Sequence, residues 1–133
     1  MFQAKILVID DDEGMTELLS LLLAPASSEI IIANSGPDGI ALTKKHHPDV
    51  IILDLMMPEM NGWRTCKQIR EFSDVPILIL SSIDAPGIVA QALDVGADDY
   101  LVKPVSSGTL IAHLNKLVRR AKVSRSPTKT PGY

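Results

Sequence analysis

The stretch VIILDLMMPEMNGW, from Val50 to Trp63, carries the pattern that decides the fold. It begins with an apolar run, reaches a carboxylate at Asp54, and continues as a methionine-rich loop with an Asn-Gly pair. An apolar run without polar alternation is typical of a strand that is buried on both faces, as in a parallel sheet. The stretch therefore predicts a buried strand that presents an aspartate at its carboxyl end.

The chain contains further short apolar runs of this kind, and segments with helical spacing separate them. The predicted strands are Lys5–Asp10, Glu29–Ala33, Val50–Asp54, Pro76–Leu80 and Tyr100–Lys103. Because strands and helices alternate, and because crossovers between parallel strands are right-handed, we expect an α/β fold of the doubly wound, flavodoxin-like class. Its sheet would contain five parallel strands in the order 2-1-3-4-5, with helices on both faces.

The helical segments carry start and stop signals. Asn61 and Asp84 are the predicted N-caps of the third and fourth helices, and Gly96 is the predicted end of the fourth. The spacing in the first helix places one group of apolar side chains on a single side: Met15, Leu18, Leu19 and Leu22.

Composition limits the class of protein. A chain of 133 residues with net charge -3 suits one compact domain, and the acidic balance argues against direct nucleic-acid binding by this domain. No apolar run approaches the roughly 18 residues of a membrane span, and the acidic N-terminus does not resemble a signal peptide. Cys66 has no partner for an internal disulfide and is interpreted as an ordinary helix residue. We expect a cytoplasmic protein with one domain over residues 1–121 and a tail or linker over 122–133.

Polar side chains follow four of the predicted strands at their carboxyl ends, where doubly wound sheets bind ligands. They are Asp10, Asp11 and Asp12 after the first, Asp54 after the third, Ser81 and Ser82 after the fourth, and Lys103 after the fifth. Neighbouring carboxylates repel one another, and a hard divalent cation such as Mg²⁺ relieves that repulsion with oxygen ligands alone. A lysine and a hydroxyl can bind a phosphate, and a carboxylate can become an aspartyl phosphate. The pattern therefore points to phosphorylation of Asp54.

Each of these residues also has a purely structural interpretation. An aspartate at a strand end is usually a turn residue or a cap, and Asp12 is expected to cap the first helix. The functional interpretation gains weight because complementary groups occur at four strand ends together. Other candidate groups are interpreted as surface, loop-packing or helix-end residues: His46, His47 and His113; Met56, Met57 and Met60; Arg119 and Arg120.

The segments ILVIDDDE, VIILDLMMPEMNGW, PILILSS and GADDYLVKP closely resemble the receiver domains of two-component response regulators. The resemblance covers about Lys5 to Ala121. It implies that Asp54 is the phospho-acceptor and that Lys103 pairs with the phosphoryl group. It also implies a cis peptide bond between Lys103 and Pro104. It implies Mg²⁺ as the cofactor, bound by Asp11 and Asp54 directly, by Asp10 through water, and by the backbone carbonyl of Met56.

The resemblance also implies a mechanism and partners. A sensor histidine kinase, or a small phosphodonor, would phosphorylate Asp54, after which Ser81 moves and Tyr100 fills the space it leaves. The face formed by the fourth helix, fifth strand and fifth helix would then change to control a partner or output domain. Such a chain is a signalling module that catalyses only its own phosphorylation and dephosphorylation.

Homodimerisation through the same face is left open. The GADDYLVKP and KLVRR segments resemble a subfamily of transcription factors that dimerises there, and Asp98 and Asp99 would pair with basic residues such as Arg120 of a second copy. His113 stands where that subfamily usually has an arginine, so the set of salt bridges is incomplete.

Three positions depart from the commonest pattern of the family. Ser82 replaces a smaller residue beside the phosphate entry. Met56 and Ile83 flank the acceptor and the switch hydroxyl, and neither apolar side chain can orient an attacking water, so we expect a long-lived phosphoryl group.

Two other functions fit parts of the pattern less well than phosphorylation switching does. An aspartyl-nucleophile phosphatase needs a second aspartate as general acid at the position of Met56, so this interpretation is poor. A receiver-like module that no longer uses phosphate typically lacks an acidic residue or the lysine, and this chain keeps all of them.

Overall fold

The structure, a computed structural model, describes residues 3–57 and 61–124. Its strands are β1 (Ala4–Ile9), β2 (Ser27–Ala33), β3 (Val50–Leu53), β4 (Ile77–Ser81) and β5 (Asp99–Val102). They form one five-stranded sheet in the order β2-β1-β3-β4-β5, and every neighbouring pair is parallel. The predicted fold class and strand order are confirmed, with strand bounds shifted by one or two residues.

Helices follow the strands. They are α1 (Glu13–Leu23), α2 (Gly36–His46), α3 (Gly62–Arg70), α4 (Pro86–Asp94) and α5 (Ser107–Ser124), with a short 3-10 helix at Ala24–Ala26. The last helix continues past Ala121, the predicted end of the domain. The remainder of the predicted tail, residues 125–133, lies outside the described residues, as does Met60 with its predicted packing role.

The three central strands, β1, β3 and β4, are buried on both faces because their side chains alternate between two apolar layers. The edge strand β2 is mostly half-buried or exposed, so the expectation that it is buried like the others is wrong. Leu7, Ile51 and Ile77 point to the layer that contains α2, α3 and α4. Ile6, Val50 and Leu78 point to the layer that contains α1 and α5. In the first layer Cys66 is fully buried, and burial raises the pKa of its thiol to about 11, so it is the ordinary helix residue that was predicted. The two layers leave the carboxyl edge of the sheet as the place where polar groups gather.

Two of the predicted helix signals lie as expected. The side chain of Asn61 accepts a hydrogen bond from the amide of Arg64 over 2.9 Å and caps α3. Gly96 follows the end of α4 with φ +123°, and a Cβ there would lie 2.8 Å from the side chain of Arg70. Both positions therefore need the residue types that the sequence provides.

The predicted cap of α4 is wrong. The helix has Ala85 as its N-cap, without a side-chain hydrogen bond, and Asp84 is exposed one residue earlier. Pro86 occupies the first helical position, which its fixed φ favours, and this sets the start of the helix. Asp84 is therefore too early in the chain to cap it.

The side of α1 that faces the sheet also differs from the predicted grouping. Met15 and Leu19 pack toward the core, together with Thr16 and Leu23, which the grouping left out. Leu18, Leu21 and Leu22 are exposed, and Leu21 is 71% exposed. The first helix therefore carries an exposed apolar strip, which we call the leucine strip of α1: Leu18, Leu21 and Leu22.

Candidate functional site

The carboxyl edge of the sheet brings three aspartates together. Asp10 follows β1 and Asp54 follows β3, and Ile9 pairs with Leu53, so the two aspartates leave the sheet side by side. The amide of Asp54 donates to the carbonyl of Ile9 over 3.0 Å. One carboxylate oxygen each of Asp10, Asp11 and Asp54 lies within 4.8 Å of the others. This oxygen-only donor set suits a hard cation such as Mg²⁺.

Asp10 is held on several sides. It is 3% exposed, and its amide donates to the carbonyl of Ala33 over 3.0 Å. One carboxylate oxygen accepts from the amide of Asp12 over 3.0 Å. Asp12 in turn caps α1 by accepting from the amides of Gly14 and Met15, as predicted. The acidic loop is thus tied both to β2 and to the start of α1.

Lys103 reaches the carboxylates from the end of β5. Its Nζ lies 3.3 Å from Asp10 Oδ2 and 4.0 Å from Asp54 Oδ1. Its amide donates to the carbonyl of Ser81 over 2.8 Å, and the peptide to Pro104 is cis, as expected. The lysine therefore places a positive charge beside two of the three carboxylates.

The environment of Asp54 disfavours the ionised form of its carboxyl group. Burial and the nearby charge of Asp10 raise the pKa of Asp54 from 3.8 to about 6, against the opposing effects of Lys103 and of a hydrogen bond from the backbone of Met56. A cation at this cluster would favour the ionised form of the carboxyl. The raised pKa thus agrees with a site that is completed by a metal ion.

The loop after Asp54 returns to pack on the site. The amide of Gly62 donates to the carbonyl of Leu55 over 2.8 Å, and a Cβ at Gly62 would collide with the backbone carbonyl of Asp54. The Asn-Gly pair of the sequence thus marks a close approach of two backbones. Met57 is buried in the core as predicted for loop packing, whereas Met56 is 58% exposed.

The predicted switch residues contact one short piece of backbone. Ser81, the last residue of β4, is fully buried, and its Oγ accepts from the amide of Ile83 over 3.2 Å. The hydroxyl of Tyr100 donates to the carbonyl of Ile83 over 2.7 Å. Ser82 is exposed between them. Ile83 therefore links Ser81 to Tyr100 through its own amide and carbonyl.

Asp98, just before β5, and Asp99, its first residue, both have partners inside the chain. His113 Nδ1 lies 2.6 Å from Asp99 Oδ2. The histidine side chain is 34% exposed, so it lies at the surface as predicted and also contacts an acid of the neighbouring strand. The two residues meet because α5 packs beside β5. Asp98 accepts from Arg70 over 2.8 Å and from the amide of Ile77 over 2.8 Å.

One residue at the site, Asn34 after β2, is not among the polar side chains that the sequence predicts for the carboxyl edge. The side-chain amide of Asn34 donates to the carbonyl of Asp10 over 2.9 Å. Its acceptor is a backbone atom, so no pattern of residue types predicts the contact. Asn34 therefore joins the acidic loop to the second strand.

Among residues 3–57 and 61–124, no helix has the length and apolar character that crossing a membrane requires.

Known proteins with similar sequences are response regulators. The model of the response regulator receiver domain family matches residues 6–115. The "Probable transcriptional regulator ycf27" of Porphyridium aerugineum is 36% identical over 131 residues, which are 98% of this chain and 55% of that protein. The response regulator MprA of Mycobacterium leprae is 37% identical over 119 residues, which are 89% of this chain and 52% of that protein. The chain spans about half the length of these curated relatives.

Solved structures that resemble this chain are also receiver domains of response regulators. The receiver domain of the Francisella response regulator 1452 superimposes with a TM-score of 0.83 at 32% identity, over 90% of this chain and 99% of that one. This chain belongs to the receiver domain family of two-component response regulators.

Proposed function

We propose that this domain is a phosphorylation switch in which Asp54 accepts a phosphoryl group in a Mg²⁺-dependent reaction. The observation that carries the proposal is the meeting of Asp10, Asp11 and Asp54 with the Nζ of Lys103 at one edge of the sheet. The residues fit Mg²⁺, which would be held by Asp11, Asp54 and the carbonyl of Met56, with Asp10 acting through water. A bound Mg²⁺ would neutralise charge on the phosphoryl oxygens.

The protein supplies the nucleophile and the positioning. An ionised oxygen of Asp54 forms the new bond to phosphorus while the bond from phosphorus to the donor nitrogen of a phosphohistidine breaks. The electron pair of that bond leaves with the imidazole, which takes up a proton. Lys103, already 4.0 Å from Asp54 Oδ1, would pair with the added phosphoryl oxygens and offset their charge. The domain turns over no other substrate in this account and acts as a signalling module.

The signal would travel from Asp54 through Ile83. A phosphoryl group on Asp54 offers Ser81 Oγ an acceptor that competes with its contact to the amide of Ile83. If that contact is lost, the backbone of Ile83 is free to move, and Tyr100 moves with it because the two share a hydrogen bond. This path would connect the acceptor to the face of α4, β5 and α5.

A sensor histidine kinase is the proposed protein donor. Such a partner must cover the carboxyl edge, where Asp12 caps α1, and the leucine strip begins six residues further along the exposed side of the same helix. Contiguous exposed apolar side chains mark interaction surfaces. We place part of the kinase contact on this strip.

The acids proposed for a homodimer, Asp98 and Asp99, already have partners. Asp98 and Asp99 pair inside the chain with Arg70 and His113, so a homodimer that uses these acids would have to exchange existing pairs. Both reported relatives are about twice this length, and one of them is named a probable transcriptional regulator, which favours an output domain in addition to the receiver domain predicted over residues 1–121. We expect the domain to work in the cytoplasm, where the kinase presents its phosphohistidine, and to contact neither membrane nor nucleic acid itself.

The test is the intact mass of the chain after incubation with acetyl phosphate. We expect a single phosphoryl adduct that requires Mg²⁺ and is absent from an Asp54→Asn variant. A folded wild-type chain that labels neither with acetyl phosphate nor with a cognate kinase would favour a phosphate-independent interaction module instead.

A further inference from the structure

Asn34, the residue after β2, contacts the acidic loop in a way that bears on its geometry. Its side-chain nitrogen donates to the carbonyl oxygen of Asp10 over 2.9 Å. That carbonyl belongs to the peptide group that joins Asp10 to Asp11. A hydrogen bond to it fixes the orientation of the peptide plane, and so the direction in which the Asp11 side chain leaves the backbone.

Asp10 does not depend on this contact for its own side chain. One of its carboxylate oxygens accepts from the amide of Asp12, and the other lies 3.3 Å from Lys103 Nζ. Asp11 is different, because it is exposed and no hydrogen bond or ion pair holds its carboxylate among the described residues. Its direction is therefore set by the backbone on which it stands.

The backbone of the acidic loop must also resist electrostatic repulsion. Asp10, Asp11 and Asp54 bring carboxylate oxygens within 4.8 Å of one another, and like charges at this distance favour a looser arrangement. The Asn34 contact opposes that loosening at the peptide between two of the three acids. Outer contacts that orient metal ligands commonly change metal affinity by about 10-fold to 100-fold.

We propose that Asn34 is a positioning residue for the metal site: its side-chain amide aims the Asp11 carboxylate at the position between Asp10 and Asp54. The inference rests on the proposed Mg²⁺ site and adds to it a residue that touches neither metal nor phosphoryl group. It predicts that metal affinity depends on the donor at position 34, beyond any effect on folding.

The test is a Mg²⁺ titration of the full 133-residue chain, followed by the fluorescence of Trp63 and by calorimetry. Trp63 is the single tryptophan and follows Gly62, whose backbone lies against Asp54. We expect Asn34→Ala to weaken Mg²⁺ binding by about tenfold. Asn34→Asp should also weaken it, although the added charge attracts a cation, because a carboxylate cannot donate the hydrogen bond.

The control is the neighbouring residue. Ser35 caps α2 by accepting from the amide of Asp38 over 3.2 Å and makes no described contact with Asp10. Ser35→Ala should lower stability in urea while leaving the Mg²⁺ dissociation constant unchanged, which separates positioning from loosening of the loop.

Three results would overturn the inference. Asn34→Ala binding Mg²⁺ as tightly as the wild type would show that the contact positions nothing. An Asn34→Asp variant that binds more tightly than wild type would show that donation is not required. A wild-type chain that binds no Mg²⁺ would overturn the metal site and this inference together.

Discussion

The hydroxyl of Tyr100 donates a hydrogen bond to the carbonyl of Ile83 over 2.7 Å, which ties β5 to the segment between β4 and α4. The amide of the same Ile83 donates to Ser81 Oγ over 3.2 Å. α4 starts shortly after this segment without a side-chain cap. One short segment thus contacts both switch residues through Ile83 and leads into a helix that lacks a side-chain cap.

Removing the hydroxyl of Tyr100 should loosen this link. We expect Tyr100→Phe to lower the free energy of unfolding by about 1 kcal/mol, since it leaves the Ile83 carbonyl without this donor. Urea denaturation measures the change, and phosphorylation of Asp54 with acetyl phosphate should persist. An unchanged denaturation midpoint would show that the hydrogen bond contributes nothing to the folded state.

The ionisation of Asp54 should make the metal-free domain less stable as pH rises. Folding raises the pKa of Asp54 from 3.8 to about 6, so the folded protein binds this proton more tightly than the unfolded chain. The resulting stabilisation is present below pH 4 and is lost as pH rises through 6, with a size on the order of 2–3 kcal/mol.

Asp54→Asn isolates this effect. In EDTA, the free energy of unfolding of the variant should lack the decrease that the wild type shows between pH 4 and 6. The variant should therefore be more stable than the wild type at pH 7. Urea denaturation at each pH measures it. Wild type and variant with parallel profiles would contradict the assignment of the proton to Asp54.

The leucine strip of α1 should matter for a protein donor and not for a small one. We expect Leu21→Glu to slow transfer from a histidine kinase that phosphorylates the wild type, because a charge then lies in an apolar contact. Labelling with acetyl phosphate should remain, since Leu21 is 71% exposed and lies outside the acidic cluster.

Val123→Glu is the matched control, because Val123 is 56% exposed near the end of α5 and lies outside the leucine strip. Equal transfer rates for Leu21→Glu and wild type would remove the strip from the kinase contact.

The residues beside the acceptor should give the phosphoryl group a long life. Met56 is exposed beside the site and Ile83 is apolar, and neither side chain can orient an attacking water. Introducing Met56→Asn with Ile83→Glu should speed the loss of the adduct, followed by intact mass after removal of the phosphodonor. Faster loss from wild type than from the double variant would refute this account.

The fold follows from the sequence because its strands are nearly uniform apolar runs. Such runs can be buried only between two layers of helices, which fixes the parallel sheet and places Asp10 and Asp54 at its carboxyl edge. Asn61 was predictable as a cap because its signal is local. The same kind of local signal failed at Asp84, because Pro86 sets the start of α4 and leaves Ala85 at the N-cap position.

Other features depended on contacts that no local pattern reveals. Leucines occupy so much of α1 that their spacing alone does not tell the buried side from the exposed one. His113 reaches Asp99 only because α5 packs beside β5. Asn34 bonds to a backbone carbonyl, which has no signature in the side chains.

The most direct test of the central claim is the amide NMR spectrum of the domain before and after phosphorylation with acetyl phosphate and Mg²⁺, with Asp54→Asn treated alike. We expect shifts that begin at Asp54 and continue through Ile83 and Tyr100 into α4 and α5 in the wild type alone. Shifts confined to the neighbours of Asp54, or present equally in Asp54→Asn, would contradict it.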